Sequence, residues 1–199
     1  MGEVYAVRDE HAQEDRALKI MRADIADSDA ARQRFRNESK VRRLNHECIV
    51  NTIDIGEAAD QNLLYISMEL VDGVSLREVM NERRLPIATS LQICYLLCKA
   101  LEYAHQQSVI HRDIKPDNVL VKLDGDDVRV WLTDFGIAQL QMDGFTNTGS
   151  VFGTLAYASP EQKRSAANVT EQSDLYGVGV LLYELLQVNC RKGTLSPPR

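Results

Sequence analysis

One short segment of this sequence concentrates side chains that could carry out chemistry. Within HRDIKPDN, at 111–118, a carboxylate (Asp113), an ammonium group (Lys115) and an amide (Asn118) stand close together along the chain. A second carboxylate, Asp134, follows in TDFG. The side-chain oxygens of Asn118 and Asp134 are hard ligands of the kind that magnesium prefers. Taken singly, Asp113 could be a loop residue, Asn118 a turn former and Asp134 a cap at a strand end.

Strands and helices would have to position these groups. Alternation of apolar and polar residues predicts strands at 3–8, 16–21, 49–56, 62–70, 118–121 and 128–135. In the second of these strands, the period of two puts Lys19 on the same face as the small Ala17. The face that carries this lysine is therefore not ordinary core.

Helical periodicity marks three further stretches. Between 29 and 44 an apolar stripe includes Glu38, and a carboxylate among apolar neighbours needs a cation. A long amphipathic helix is predicted to start near Pro86 and to run out near Ser108, just before the HRD segment. The stretch 173–186 is apolar on nearly every side, which is typical of a helix buried inside a domain.

The composition is that of a globular protein in a reducing compartment. Hydrophobic residues make up 44% and charged residues 26% of the 199 residues, which argues against wholesale disorder. The net charge of -6 argues against general affinity for nucleic acid or anionic lipid. The cysteines lack the spacing of a zinc site, and neither a secretory signal nor an apolar run of membrane length is found. These features predict a cytoplasmic chain with no nucleic-acid partner and no membrane segment.

Taken together, these segments resemble the catalytic domain of protein kinases, in particular bacterial serine/threonine kinases. The set contains, in order along the chain, Lys19, Glu38, HRDIKPDN, TDFG, GTLAYASPEQ and the aspartate of SDLYGVGV, Asp174. Their joint occurrence at these intervals is far more specific than any one motif. The resemblance implies an α+β, two-lobed kinase fold, with a small antiparallel β lobe and one long helix at 1–71 and a mainly helical lobe at 72–199.

For the chemical step, the resemblance implies transfer of the γ-phosphoryl group of ATP to a serine or threonine hydroxyl of a protein. Asp113 would accept or orient the hydroxyl proton, and Lys115 would neutralise the transferred group. Lys19 would hold the α- and β-phosphates and form an ion pair with Glu38. Asp174 would steady the backbone of the catalytic loop.

The same resemblance implies a site for magnesium and for the nucleotide. Asn118 and Asp134 would be the Mg²⁺ ligands. Met68 would be the gatekeeper residue at the back of the adenine site. The residues expected to contact ATP, including the roof, the floor and the hinge backbone, are Gly2, Val4, Ala17, Lys19, Met68, Glu69, Val71 and Leu120.

A polar stretch at 141–159 predicts a long loop of the kind that carries function. By resemblance, a phosphate on Thr146 or Thr148 would pair with Arg112 and order this loop. Thr154 would face the protein substrate. The alternative is that these hydroxyls are simply solvated.

The family pattern is incomplete at both ends of the sequence. Gly2 and Val4 match only the last part of the glycine-rich loop, and the pattern is lost after Leu186, so the chain is expected to be truncated at both ends. The arginine that normally pairs with Glu161 would lie in the lost region, which would leave this carboxylate alone. These gaps keep a second hypothesis open, namely a kinase fragment or pseudokinase-like interaction module with little or no catalysis. A small-molecule kinase is less favoured, and dimerisation for autophosphorylation stays open.

Overall fold

A computed structural model describes the chain at residues 3–21, 44–58, 63–125, 127–135, 156–165 and 169–187. Within these residues, a four-stranded antiparallel sheet lies beside a mainly helical part that carries a second sheet of three strands. This arrangement confirms the predicted α+β class.

The strands of the first sheet are β1 (Glu3–Asp9), β2 (Glu14–Ile20), β3 (Thr52–Ala58) and β4 (Leu63–Glu69), in the spatial order β1-β2-β4-β3. The second sheet contains β5 (Val74–Ser75), β6 (Val119–Asp124) and β7 (Asp127–Leu132), in the order β5-β6-β7. The helices are α1 (Leu76–Glu82), α2 (Ile87–Gln106), α3 (Pro160–Arg164) and α4 (Glu171–Gln187), and a 3-10 turn spans Pro116–Asn118.

The register of the first sheet gathers the predicted nucleotide-binding side chains on one face. Directly opposite residues of antiparallel strands point to the same face of a sheet. Val4 of β1 lies opposite Lys19 of β2, and Ala17 of β2 lies opposite Met68 of β4. Because Ala17 and Lys19 are two residues apart, all of these side chains share a face. β1 is an edge strand and most of its residues are exposed.

The larger hydrophobic core is built around α2. One stripe of α2, with residues recurring every three or four positions, is buried against α4 and β7. The buried hydrophobic residues of this stripe are Ile93, Cys94, Leu97, Ala100, Leu101 and Ala104. On α4, a Cβ atom added at Gly177 would lie 2.8 Å from Cβ of Ile114. Glycine at this position therefore lets α4 approach the loop that follows α2.

The segment before β3 differs from the prediction. A strand was expected from 49, but β3 begins at Thr52. Ile49 and Val50 instead lie beside β7, where Ile49 forms a parallel bridge with Leu132 and the Val50 N–H donates to the Leu132 carbonyl at 3.0 Å. The reason is that Ile49, like Cys48, is buried in the core around α2. The predicted helix over 29–44 lies outside the described residues, apart from its last position.

Helix α4 is amphipathic rather than buried on every side. Leu181 and Leu185 are buried, whereas Leu175 and Tyr183 are 51% and 63% exposed. This difference arises because one face of α4 packs on α2. No helix of the described residues combines the length and apolar character that a membrane-spanning segment needs.

Candidate active site

The loop after α2 holds the carboxylate of Asp113 in a fixed orientation. Lys115 Nζ lies 2.6 Å from Asp113 Oδ2, and Asn118 Nδ2 donates to the same oxygen at 2.9 Å. Asn118 Nδ2 also donates to the Asp113 main-chain carbonyl at 2.8 Å. Asn118 is placed by the 3-10 turn that Pro116 begins, and the Lys115 and Asn118 side chains are buried. An ammonium group and an amide therefore converge on one carboxylate oxygen.

Lys19 reaches into the same region from β2. Its Nζ forms an ion pair with Asp134 Oδ2 at 2.6 Å, and its side chain is 2% exposed. A lysine this deeply buried needs such a partner, because an unpaired buried charge is costly. Asp134 is the second residue after β7 and has a φ of 68°, a left-handed conformation that is uncommon for residues other than glycine.

Thr133 and His111 join the Asp134 loop to the Asp113 loop. The Thr133 N–H donates to the Asn118 carbonyl at 3.0 Å, and His111 Nε2 donates to the Thr133 carbonyl at 2.8 Å. The His111 ring also meets Phe135 edge-on, with centroids 4.6 Å apart. The structure thus brings Lys19, Asp134, Asn118 and Asp113 together through a continuous set of contacts.

The backbone of the Asp113 loop is fastened to α4 by Asp174. The carboxylate of Asp174 accepts hydrogen bonds from the N–H groups of His111 at 2.9 Å and Arg112 at 2.7 Å. It also accepts one from His105 Nε2 at 2.8 Å. Arg112 has a φ of 72°, a second left-handed residue in this site. Asp174 is 1% exposed, so these contacts lie in the interior.

The predicted adenine-contacting residues lie around the smaller hydrophobic cluster of the first sheet. This cluster consists of Met21, Val50, Leu64, Ile66 and Met68, with Ala17, Val71 and Leu120 packed against it. Val4 is 58% exposed on the face that carries Lys19. The Glu69 N–H donates to the Asn51 carbonyl, and the Val71 carbonyl accepts from the Gly73 N–H, each at 3.0 Å.

Several predicted site residues lie outside the part of the chain that the structure describes. These residues are Gly2, Glu38, Thr146, Thr148 and Thr154. The predicted Lys19–Glu38 ion pair and the predicted pairing of Arg112 with a loop phosphate therefore stay predictions.

A polar cluster beside the Asp113 loop was not predicted from the sequence. Arg77 of α1 donates to Glu184 Oε1 of α4 at 2.8 Å and to the Tyr157 hydroxyl at 2.7 Å, and it lies 3.6 Å from Asp117 Oδ2. The Tyr157 hydroxyl also donates to Glu184 Oε2. Partial burial and this bond to Glu184 raise the pKa of Tyr157. No sequence pattern links these residues, because they come from four separate segments.

The environment of Glu161 corrects one expectation. Glu161 was expected to stand alone for want of an arginine partner, but its Oε1 accepts a hydrogen bond from Ser173 Oγ at 2.6 Å. This bond lowers the pKa of Glu161. Within the described residues, a hydroxyl at the start of α4 thus provides this carboxylate with a hydrogen-bond partner.

Comparison with known proteins places this geometry in a family. The model of the protein kinase domain matches residues 1–191. Serine/threonine-protein kinase PknB of Mycolicibacterium smegmatis is 41% identical over 194 residues, covering 94% of this chain and 30% of that protein. A probable serine/threonine-protein kinase of Streptomyces coelicolor is 42% identical over 195 residues, covering 94% of this chain and 28% of that protein.

A relative from a third bacterium gives the same result. A probable PknB of Lactococcus lactis is 41% identical over 174 residues, with 85% of this chain and 27% of that protein covered. The chain thus spans less than a third of the length of these relatives. The comparisons confirm the resemblance drawn from the motifs, and the chain belongs to the protein kinase domain family.

Proposed function

We propose that this chain is a serine/threonine protein kinase that transfers the γ-phosphoryl group of ATP to a protein hydroxyl. The observation that carries the proposal is the convergence of Lys19–Asp134 and Asp113–Lys115–Asn118 through Thr133. The names of the bacterial relatives support the same reaction. The chain covers less than a third of the length of these relatives, so their names support the proposal but do not establish the activity of this chain.

On the substrate side, Asp113 would receive the proton of the attacking hydroxyl. The hydroxyl oxygen would bond to the γ-phosphorus while the bond from that phosphorus to the bridging oxygen breaks, leaving ADP. Lys115 lies 2.6 Å from the Asp113 carboxylate, where its charge can neutralise the transferred group. Phosphoryl transfer requires mainly positioning and charge neutralisation, and this loop would supply both.

On the nucleotide side, Lys19 would hold the α- and β-phosphates. Adenine would lie between Val4 and Ala17 above and Leu120 below, with Met68 at the back, since these side chains are apolar. Met68 belongs to the smaller cluster, Ala17 and Leu120 pack against it, and Val4 lies opposite Lys19 on the same face. Main-chain groups of Glu69 and Val71 would hydrogen-bond the base. Gly2 near the phosphates and Glu38 beside Lys19 complete the proposed site.

Magnesium fits the donor set of Asn118 and Asp134. Both hydrogen bonds from Asn118 Nδ2 go to Asp113, which directs the carbonyl oxygen of that amide away from Asp113. One amide oxygen and one carboxylate form the sparse oxygen-only set that Mg²⁺ takes when phosphates complete its shell. Bound Mg²⁺ would neutralise charge on the phosphates.

The remaining features of the proposal concern organisation and control. Two lobes at 1–71 and 72–199 would face each other across the nucleotide. A phosphate on Thr146 or Thr148 would pair with Arg112, and Thr154 would face the substrate. We propose a cytoplasmic kinase that acts in signalling on a protein substrate, and dimerisation would serve autophosphorylation.

The test is phosphoryl transfer from radiolabelled Mg-ATP by the purified chain to itself or to a generic protein substrate. Asp113→Asn is expected to lower the rate by about 100-fold or more, because general-base catalysis contributes at least that much. Lys19→Met should also abolish labelling. Two exposed residues offer matched controls, Asp127→Asn and Lys99→Met, which should label like wild type.

Equal labelling by wild type and both site variants would contradict the proposal. If the wild-type chain is not labelled, the second hypothesis, a kinase fragment or pseudokinase-like interaction module, is favoured. This holds whether or not the chain binds nucleotide.

A further inference from the structure

Gln162 lies between the start of α3 and the catalytic loop, and both ends of its side-chain amide are engaged. Oε1 accepts from the Ser159 N–H at 2.9 Å, and Nε2 donates to the Arg112 carbonyl at 2.7 Å. Because a main-chain N–H can only donate and a carbonyl can only accept, this orientation of the amide is the one that satisfies both partners. The first bond is half of a capping box, since Ser159 Oγ accepts from the Gln162 N–H in return.

The second bond reaches a strained residue. Arg112 has a φ of 72°, which a residue with a side chain adopts only where its surroundings enforce it. Its N–H donates to Asp174 Oδ1 at 2.7 Å, and its carbonyl accepts from Gln162. The backbone of Arg112 is therefore clamped at both ends, by α4 on one side and by α3 on the other. The next residue is Asp113.

We propose that Gln162 is a positioning residue for Asp113, which it orients through the Arg112 carbonyl. This inference rests on the proposed kinase function, and it assigns Gln162 a role beyond capping α3. The SPEQ segment of α3 follows the loop predicted to face the protein substrate. The position of that segment and the geometry of the catalytic loop are thereby coupled through one amide.

The variant that separates the two roles of Gln162 is Gln162→Glu. Glutamate is as good as glutamine at this position of a capping box, and a negative charge in the first turn of a helix is favourable, so the cap is kept. The donor to Arg112 is lost, however, and a carboxylate oxygen then faces a carbonyl oxygen. Loss of this partly buried hydrogen bond in the transition state predicts a fall in kcat of about tenfold.

Two further variants serve as controls. Ser159→Ala removes the Oγ half of the capping box and keeps the Ser159 N–H that holds the Gln162 amide. It should lower Tm while kcat stays within about twofold of wild type. Arg112→Gly makes the positive φ free of strain, because glycine adopts it readily. In that background Gln162→Glu should lower kcat by less than about threefold, since the clamp is no longer needed.

The experiment measures kcat, KM for ATP, Tm and hydrogen exchange of the peptide that contains Arg112. The expected result for Gln162→Glu is a lower kcat and faster exchange, with KM for ATP unchanged and a fall in Tm no larger than that of Ser159→Ala. Wild-type kcat and exchange in this variant would overturn the inference. Equal falls in kcat and Tm for Gln162→Glu and Ser159→Ala would also overturn it, because capping would then explain both. If the wild-type chain shows no transfer at all, the proposed function fails, and the exchange measurement still decides whether Gln162 holds the loop.

Discussion

Lys19 and Asp113 reach the same site from two differently built parts of the molecule. Lys19 stands on a sheet whose buried cluster is small, beside an exposed edge strand, and its ammonium group is held by one ion pair in the described structure. Asp113 stands on a loop that continues the large core around α2, and Asp174 and Gln162 fix its backbone. Within the described residues, the loop proposed for the chemical step is thus preorganised, whereas the sheet proposed to bind the nucleotide has fewer restraints.

The strongest test of the preorganised side is Asp174→Ala. Removal of this buried carboxylate leaves two main-chain N–H groups and His105 without their acceptor. We expect the free energy of unfolding to fall by about 3–5 kcal/mol, because each buried donor left without an acceptor costs about 1–3 kcal/mol. Urea denaturation measures this loss. The exposed Asp127→Ala should change stability by less than about 0.5 kcal/mol, and a similarly small loss for Asp174→Ala would remove the contrast between the two sides.

A pair of leucines compares the two cores directly. Leu97 lies in the large core and Leu64 in the small cluster, and both are 0% exposed. Leu97→Ala should cost about 3–4 kcal/mol and Leu64→Ala about 2–3 kcal/mol, because a site in a small cluster collapses more readily around the lost volume. Chemical denaturation gives both values. Leu64→Ala should in addition weaken ATP binding in a fluorescent-nucleotide titration, whereas Leu97→Ala should not. Equal losses of stability and equal ATP affinities for the two variants would show that the two cores support the site to the same extent.

A smaller effect is expected at the contact between α4 and the catalytic loop. In Gly177→Ala the new methyl group would lie 2.8 Å from Ile114 Cβ, next to Asp113. We expect a loss of stability of about 1–2 kcal/mol from overpacking, together with a lower kcat. At Gly179 on the same helix, no other described residue comes within 4 Å of such a methyl group, apart from the neighbouring residues of the helix itself. Gly179→Ala should therefore stabilise the chain by up to about 1 kcal/mol. Thermal melts of the two variants shifting in the same direction would argue against close packing at Ile114.

Local patterns in the sequence were sufficient for much of the fold. Period-two alternation predicted the hairpin β1–β2 and the face of Lys19, and helical periodicity predicted α2, because both signals depend on near neighbours along the chain. The predicted start of β3 was three residues too early. The sequence around Ile49 has a strand-like pattern, but Ile49 pairs with Leu132 of β7 because it is buried in the core around α2. That core is assembled from segments that are distant along the chain, so local patterns do not predict this pairing.

The same limit applies to the candidate site. The family motifs pointed to Asp113, Asn118 and Asp134, which the structure connects. The resemblance also pointed to Asp174 as a support of the loop backbone. The contacts of Gln162 and His105 could not be predicted, since Gln162 is 50 residues from Arg112 and His105 is 69 residues from Asp174. The sequence indicated Gln162 only as the last residue of the SPEQ motif. Its contact with the Arg112 carbonyl depends on where α3 packs.

The junction at Thr133 has a consequence for how freely this position can vary. Its two hydrogen bonds, to Asn118 and from His111, both use main-chain atoms. Almost any side chain except that of proline would preserve them, because proline alone lacks the N–H. The residue type at this position could therefore change without weakening the connection between the two loops. A comparison of side-chain identities would not identify Thr133 as a contact between them.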